Sequence, residues 1–227
     1  MNEIKVLCPA TVANVVCGFD ILGFALNTPF DILTMRKSDN PGVRITHKDN
    51  FNLPTEPERN VAGVALLEMI NDAGYTGGID MEIDKRIKPG SGIGSSAASA
   101  AGAVIAANKL LNLNYNKDEL VRFAMSGEKL ASGVKHADNI APCIYGGITL
   151  VRSIFPLDIV QIKPPQLFVT VVHPQLEVKT SDARNILKQK VALKDAIKQW
   201  GNIAGLMAGL LRKDYDLISR SMEDVII

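Results

Sequence analysis

The chain has 227 residues, of which 47% are hydrophobic and 22% charged, and its formal net charge is +1. This length and composition are sufficient for a globular protein with a sizeable core, in one large or two small domains. The small net charge and the lack of any block of like charges argue against nucleic acid or an anionic membrane surface as the main partner.

The cysteines and the N-terminal residues indicate the compartment. Cys8, Cys17 and Cys143 show neither a C-x-x-C spacing nor a Cys/His metal spacing, so reduced thiols are expected rather than a disulfide framework or a zinc site. The N-terminal residues lack a basic stretch followed by an apolar one, and no apolar run approaches the roughly 20 residues that span a bilayer. The sequence therefore predicts a cytoplasmic protein.

The first predicted element is a short strand, Ile4 to Cys8, which continues into residues 9–20, PATVANVVCGFD. Apolar residues lie on both sides of Asn14 and Asp20, so both side chains are expected near the core, where polar groups need partners. From the residues alone, the first interpretation is a pair of turn-forming Asx side chains beside Gly18.

Strands and one helix are predicted next. Two strands, Asp31 to Arg36 and Val43 to His47, flank a polar turn, and a proline-containing loop follows them. Asn60 is placed to cap a helix that begins at Val61. Alternating apolar and acidic residues over 79–84 then predict a half-buried strand that leads directly into a glycine-rich loop.

Residues 88–102, KPGSGIGSSAASAAG, place three glycines among hydroxyl side chains and run into an alanine-rich helix expected from Ala97 to Leu111. Glycine admits positive-φ backbone and a close approach to ligands, so successive N–H groups can point at one anion. The free amides and the dipole of a helix N-terminus also favour negative charge. The stretch predicts a phosphate-binding loop, and a flexible turn before a buried helix is the minority interpretation.

Two better-known glycine signatures fit this stretch less well. A P-loop requires Gly-Lys-Ser/Thr, but Gly94 is followed by Ser95 and the next lysine is Lys109. A dinucleotide fingerprint is met by residues 92–97, but it also requires a second strand that ends in an acid about 20 residues later. Residues 111–116 are too few and too polar for that strand, so a dinucleotide site is not expected.

A second helix is predicted from Lys117 to Ala131, with a carboxylate near its end. Glu128, His136 and Asn139 place a metal-competent carboxylate, an imidazole and an amide within twelve residues. Each of these residues, taken singly, is usually solvated or structural. Their concentration favours a site.

The C-terminal part of the chain is predicted to contain three strands and three helices. The first of these helices begins near Thr180, with Arg184 one turn further on, and on the residues alone this arginine is a surface residue. The strands are expected at Ile148 to Arg152, Leu157 to Ile162 and Leu167 to His173, and the later helices at Val191 to Leu211 and Tyr215 to Met222.

Three stretches carry a resemblance to a known family. PGSGIGSSAAS, residues 89–99, resembles the ATP-binding motif of the GHMP small-molecule kinases. PATVANVVCGFDILGFAL, residues 9–26, and GEKLASGVKHADNIAPCIYGG, residues 127–147, are similar to homoserine kinases in particular. The resemblance implies an α+β fold, with a domain like ribosomal protein S5 domain 2 over residues 1–155 and an incomplete ferredoxin-like domain over residues 156–227.

The resemblance also implies an activity. The reaction is the ATP-dependent phosphorylation of the side-chain hydroxyl of L-homoserine, a step toward threonine, with ATP and Mg²⁺ as cofactors and a homodimer as the assembly. Another GHMP small-molecule kinase and a non-catalytic binding protein of the same fold are the alternatives. Family members continue with a further substrate arginine and a third, glycine-rich motif, and neither is found in these 227 residues.

Roles for individual residues follow from the resemblance alone. Asn139 stands where related kinases for mevalonate and galactose carry an aspartate thought to act as base. Because an amide cannot accept a hydroxyl proton, the resemblance implies catalysis by positioning and charge stabilisation, with the γ-phosphate receiving the proton. The residues implied to bind phosphate are Pro89, Gly90, Ser91, Gly92, Ile93, Gly94, Ser95 and Ser96, with Asn60 as a secondary nucleotide contact. The residues implied to bind the metal are Ser96 and Glu128. The residues implied to bind the amino-acid substrate are Asn14, Asp20, His136, Asn139, Thr180 and Arg184.

Overall fold

The computed structural model describes residues 2–172, 186–188 and 190–227. Within these ranges, strands and helices form a sheet with helices packed against it. The strands are β1 (Glu3–Val15), β2 (Gly18–Ser38), β3 (Gly42–His47), β4 (Gly78–Asp84), β5 (Ile148–Ile154) and β6 (Leu157–Ile162). The α-helices are α1 (Val61–Asp72), α2 (Ser95–Leu111), α3 (Lys117–Ser132), α4 (Ile140–Tyr145), α5 (Leu193–Arg212) and α6 (Tyr215–Ser221), and a 3₁₀ turn covers Pro57–Arg59.

The long strand β2 joins the two halves of the sheet. The strand order is β3-β4-β2-β5-β6, and β1 pairs with β2 beside this path. Only β3 and β4 run parallel among the strand pairs of the described ranges; the others are antiparallel. β2 extends over 21 residues, so one strand contacts both β4, which leads into the glycine loop, and β5 at the other side.

Helix α2 lies close to the sheet because its residues are small. Alanine has the highest helix propensity of all residues and loses no side-chain entropy on folding, so the alanine-rich sequence favours a helix that can also be buried almost all round. Most of α2 is buried in the main hydrophobic core, between the sheet and helices α1 and α3. At Gly102 a Cβ would lie 2.2 Å from Cys8 Sγ of β1. The glycine therefore sets how closely α2 approaches the strand.

A smaller core lies under the C-terminal helices. Cys17, Leu22 and Ile148 of the sheet region pack there with Leu206 and Leu210 of α5. The predicted helices over 191–211 and 215–222 are confirmed, with bounds within two residues of those expected. Among the described helices, none combines the length and apolar character needed to cross a membrane.

The N-terminal strands are longer than the sequence predicted. β1 continues to Val15 rather than ending at Cys8, and β2 begins at Gly18 rather than at Asp31. A tight turn between the two strands, with Val16 at φ 47°, lets the chain reverse inside a stretch that looked like a loop. Register shifts in β1 accommodate this irregular backbone, and such bulges leave no periodic signal in the sequence.

The predicted strand from Leu167 to His173 is wrong over residues 167–172, which form no strand. Phe168 and Val172 are largely exposed, and no described strand pairs with this segment. A strand requires a hydrogen-bonded neighbour, so an apolar, β-branched run alone does not produce one. His173 itself, and the helix expected to begin near Thr180, lie outside the described residues.

The division of the chain at residues 155 and 156 stays a prediction. β6 begins directly after it and pairs with β5 from Ile148 to Ile154. The chain therefore crosses the predicted boundary within one hairpin of the same sheet.

Candidate functional site

The glycine-rich loop adopts the backbone conformation that the sequence suggested. Gly90, Gly92 and Gly94 have φ values of 74°, 76° and 68°. Gly94 is also the N-cap of α2, which begins at Ser95. Because glycine has no side chain with which to cap a helix, the first N–H groups of α2 are left for an external acceptor.

A cavity of about 510 Å³ opens beside this loop. This volume is typical of small-molecule sites. The structure brings together residues from four separate stretches of the chain to line it, and most of them are predicted site residues. The predicted residues on its wall are Asn14, Asp20, Pro89, Gly90, Ser91, Gly92, Gly94, Ser95, Ser96, Glu128, His136 and Asn139; Leu53, Val61, Lys85, Ser99, Ala131 and Asp138 complete it.

A buried ion pair holds the start of the loop. The Lys85 ammonium bonds the Asp31 carboxylate, and both side chains are almost completely buried. The same ammonium donates to the Ser95 carbonyl at 2.7 Å and to Ser99 Oγ at 3.0 Å. The second carboxylate oxygen of Asp31 accepts from the backbone N–H groups of Arg86 and Ile87. The pair therefore ties β2 to the end of β4 and to the first turn of α2.

Sequence reasoning missed this pair. The signal that could have found Asp31 is its position in a strand whose alternate residues Leu33 and Met35 are apolar, because all three then lie on one face of the sheet. A charged residue on the buried face needs a buried partner. Nothing in the local sequence identifies Lys85 as that partner, since it lies 54 residues away.

Ser96 and Glu128 form a pair of oxygen groups at the cavity. Ser96 Oγ donates to Glu128 Oε2 at 2.9 Å, which connects the first turn of α2 with α3. Burial raises the pKa of the Glu128 carboxyl, and the Ser96 hydrogen bond opposes that shift. The neighbouring hydroxyls serve the protein itself: Ser95 Oγ donates to the Ile87 carbonyl, and Ser99 accepts from Lys85.

Asn14 and Asp20 flank the turn between β1 and β2 and also face the cavity. Asn14 Oδ1 accepts a 2.8 Å hydrogen bond from the Asp20 N–H, and both residues have positive φ, so the turn interpretation is confirmed for the Asn14 side chain, although both residues lie in strands. Both also line the cavity. The Asp20 carboxylate lies 3.8 Å from Nδ1 of His136, which places an acid and an imidazole side by side on the wall.

Asn139 is held by a residue that the sequence did not single out. The Thr11 hydroxyl donates to Asn139 Oδ1 at 2.8 Å. The Thr11 backbone N–H donates to the carbonyl of Ile93 at 3.1 Å, so Ile93 supports the loop although it does not line the cavity.

Asp138 is a buried carboxyl on the cavity wall, with 3% of its surface exposed. Burial, reinforced by repulsion from the Asp20 carboxylate, raises its pKa from 3.8 to about 6. Its Oδ1 accepts from the Asn139 N–H at 3.1 Å. The sequence signal was its position between His136 and Asn139, but spacing alone gave no reason to separate it from a surface acid.

Asn60 caps α1, as the residues indicated. Its Oδ1 accepts from the N–H groups of Ala62 and Gly63, and its Nδ2 donates to the Pro54 carbonyl. Asn60 does not line the cavity, although the adjacent Val61 does. Its contact to a nucleotide therefore stays a prediction, and Thr180 and Arg184 lie outside the described residues.

Comparison with known proteins identifies the family. The profile described as GHMP kinases N terminal domain matches residues 60–147. A homoserine kinase of Chloroherpeton thalassium is 46% identical over 239 residues, which cover 100% of this chain and 75% of that protein. The chain belongs to the homoserine kinase family.

Further relatives agree with this assignment. A homoserine kinase of Methanococcus vannielii is 42% identical, over 98% of this chain and 74% of that protein. The crystal structure of homoserine kinase from Cytophaga hutchinsonii is similar with a TM-score of 0.91 at 48% identity, over 100% of this chain and 73% of that one. Membership in the homoserine kinase family confirms the resemblance predicted from three stretches, and it confirms a GHMP kinase fold of mixed helices and sheet.

We expect Lys85→Met to lower the free energy of unfolding by about 3–5 kcal/mol, because it leaves the Asp31 carboxylate buried without its charged partner. Urea denaturation measures this loss. Lys48→Met is the matched control, since Lys48 pairs with Glu82 at the surface and is 61% exposed, where such a pair contributes at most about 1 kcal/mol. Equal losses in the two variants would contradict the anchoring role of Lys85.

We expect Asp138→Asn to stabilise the protein at neutral pH, because it removes a buried charge and keeps an oxygen for the Asn139 N–H. The raised pKa means that the folded state binds the proton more tightly, so the wild type loses stability as pH rises from 3.8 to about 6. The variant should gain about 1–3 kcal/mol at pH 7.5 and little at pH 4.

Thermal and urea unfolding across pH 4–8 check this dependence, with the exposed Asp39→Asn as control. A gain that is independent of pH, or shared by Asp39→Asn, would show that burial of Asp138 is not its cause.

Proposed function

We propose that this chain transfers the γ-phosphoryl group of ATP to the side-chain hydroxyl of L-homoserine, forming O-phospho-L-homoserine, a step toward threonine. The observation that carries the proposal is that one cavity is lined at one wall by the glycine loop and at another by Asp20, His136 and Asn139. A phosphate donor and an amino-acid acceptor could meet there. The 46% identity to a homoserine kinase over the full length of the chain supports homoserine as the acceptor.

The phosphate end of the proposed site consists of backbone groups. Positive-φ glycines at 90, 92 and 94 turn the loop, and α2 presents its uncapped N-terminus to the cavity. Backbone N–H groups and the helix dipole both favour phosphate oxygens. Lys85 supports this end indirectly, because its ammonium is bonded to Asp31, to the Ser95 carbonyl and to Ser99. The backbone groups would orient the triphosphate.

Ser96 and Glu128 would hold Mg²⁺ in this proposal. Their donor atoms are oxygens, which suit a hard cation. Two protein oxygens suffice for Mg²⁺, because this ion usually takes one or two protein ligands and completes its shell with phosphate and water. When bound, it supplies neutralisation of charge on the transferring phosphoryl group.

The acceptor end would recognise an amino acid. The Asp20 carboxylate suits the substrate ammonium, with Asn14 and His136 beside it. Thr180 and Arg184, which the resemblance assigns to the substrate, belong to the proposal as the carboxylate-binding pair, because a guanidinium can bind a carboxylate through two parallel hydrogen bonds.

The transfer itself requires no protein base. The substrate hydroxyl oxygen forms a bond to the γ-phosphorus, the bond from phosphorus to the bridging oxygen of ADP breaks, and the hydroxyl proton passes to a phosphoryl oxygen. Asn139 can orient these groups through hydrogen bonds but cannot take the proton. Positioning and charge stabilisation then account for the rate, as is usual for phosphoryl transfer.

The experiment is ADP formation by the purified chain with L-homoserine, L-serine, mevalonate and galactose in parallel, with Mg²⁺ and with EDTA. We expect turnover with homoserine only, and only with Mg²⁺. Preferred turnover of mevalonate or galactose would instead support another small-molecule kinase. ATP binding without any turnover would support a binding protein.

A glycine variant tests the role of the loop. At Gly94 a Cβ would lie 2.1 Å from Thr11 Oγ1, so we expect Gly94→Ala to lower kcat/KM for ATP by at least about 100-fold, the scale of losing aligned backbone donors. Gly74→Ala is the matched control, because Gly74 also has positive φ but nothing lies within 4 Å of its Cβ position. Equal losses of activity in the two variants would contradict a specific role for the loop.

A further inference from the structure

Thr11 connects three parts of the candidate site. We propose that it is a positioning residue for the phosphoryl transfer, because its hydroxyl holds the Asn139 amide in place at the wall of the cavity. The expected effect on kcat rests on the proposed function. The expected effect on the Asn139 side chain does not.

The hydrogen bonds of Thr11 reach both the loop and the acceptor wall. Thr11 lies on β1 and has no exposed surface. Its backbone N–H donates to the Ile93 carbonyl at 3.1 Å, and its hydroxyl donates to Asn139 Oδ1 at 2.8 Å across a sequence separation of 128 residues. One residue thus sets the distance between the phosphate loop and Asn139.

The hydroxyl holds the Asn139 side chain beside the loop. The Thr11 hydroxyl bonds Asn139 Oδ1, and complete burial of Thr11 leaves no water to replace it. The Asn139 NH₂ group donates to no residue in the described part of the chain, while Asn139 lines the cavity. In this arrangement its two N–H donors are available to a ligand.

Packing keeps this arrangement in place. At Gly94 a Cβ would lie 2.1 Å from Thr11 Oγ1 and 3.0 Å from Asn139 Oδ1. A side chain at residue 94 would therefore displace the hydroxyl and crowd the amide oxygen. Glycine at residue 94 therefore has two effects: it allows the positive φ, and it leaves room for the contact between Thr11 and Asn139.

The position of the amide matters because the reacting groups are rich in electrons. An NH₂ group can donate to a phosphoryl oxygen or to the attacking hydroxyl oxygen. Thr11 holds the Asn139 side chain in place before substrate binds. It acts through Asn139 and does not itself line the cavity.

Thr11→Val tests the inference, because valine keeps the branched shape and removes the hydroxyl. Thr11→Ser restores the hydroxyl and serves as the rescue variant. The matched control is Thr149→Val, since Thr149 is also completely buried but its hydroxyl donates to the Gly23 carbonyl away from the cavity.

The first readout is the NMR signal pair of the Asn139 NH₂ group in the full chain, assigned by its loss in Asn139→Ala. We expect the same two signals in wild type, Thr11→Ser and Thr149→Val. In Thr11→Val they should shift and broaden as the amide side chain loses its fixed position. Unchanged signals in Thr11→Val would overturn the inference, whatever the activity of the protein.

The second readout is steady-state homoserine phosphorylation. Loss of one aligned hydrogen bond should lower kcat roughly tenfold in Thr11→Val, with the KM for ATP unchanged and kcat restored by Thr11→Ser. A wild-type kcat in Thr11→Val would contradict the positioning role. Absence of homoserine turnover in the wild type would contradict the proposed function, and the NMR comparison would still decide the role of Thr11.

Discussion

The buried pair of Lys85 and Asp31 is the constraint on which the candidate site depends. Removing two charges from water costs several kcal/mol for each ion, and this is offset only where their hydrogen bonds are well satisfied. Here the ammonium has three acceptors and the carboxylate accepts from two backbone N–H groups as well. Because these partners belong to β2, to the chain after β4 and to α2, the pair fixes both ends of the glycine loop.

The rest of the site extends outward from that fixed loop. Thr11 connects the loop to Asn139, and Ser96 connects α2 to Glu128. The wall beyond them includes Asp138, a carboxyl whose burial opposes its charge at neutral pH. A buried charge that weakens the fold is the kind of feature that proteins retain where binding or catalysis needs it. The phosphate end of the cavity is thus held by the buried ion pair, whereas the acceptor end contains a buried carboxyl whose charge lowers the stability of the fold.

The sequence revealed those features whose cause is local. Three glycines and an alanine-rich run predict the loop and α2, because backbone freedom and helix propensity are properties of neighbouring residues. Asp31, Lys85 and Thr11 escaped notice because their partners are remote in sequence, and no spacing rule connects them. The strand predicted over 167–173 was wrong over 167–172 for a related reason, since an apolar pattern does not supply a neighbouring strand.

A crystal structure with a non-hydrolysable ATP analogue, Mg²⁺ and L-homoserine tests the central claim that one cavity holds both substrates. The account predicts the triphosphate against the backbone N–H groups of residues 90–96, the metal between Ser96 and Glu128, and the homoserine hydroxyl within hydrogen-bond distance of Asn139. A nucleotide bound away from the glycine loop, or homoserine bound outside this cavity, would contradict it.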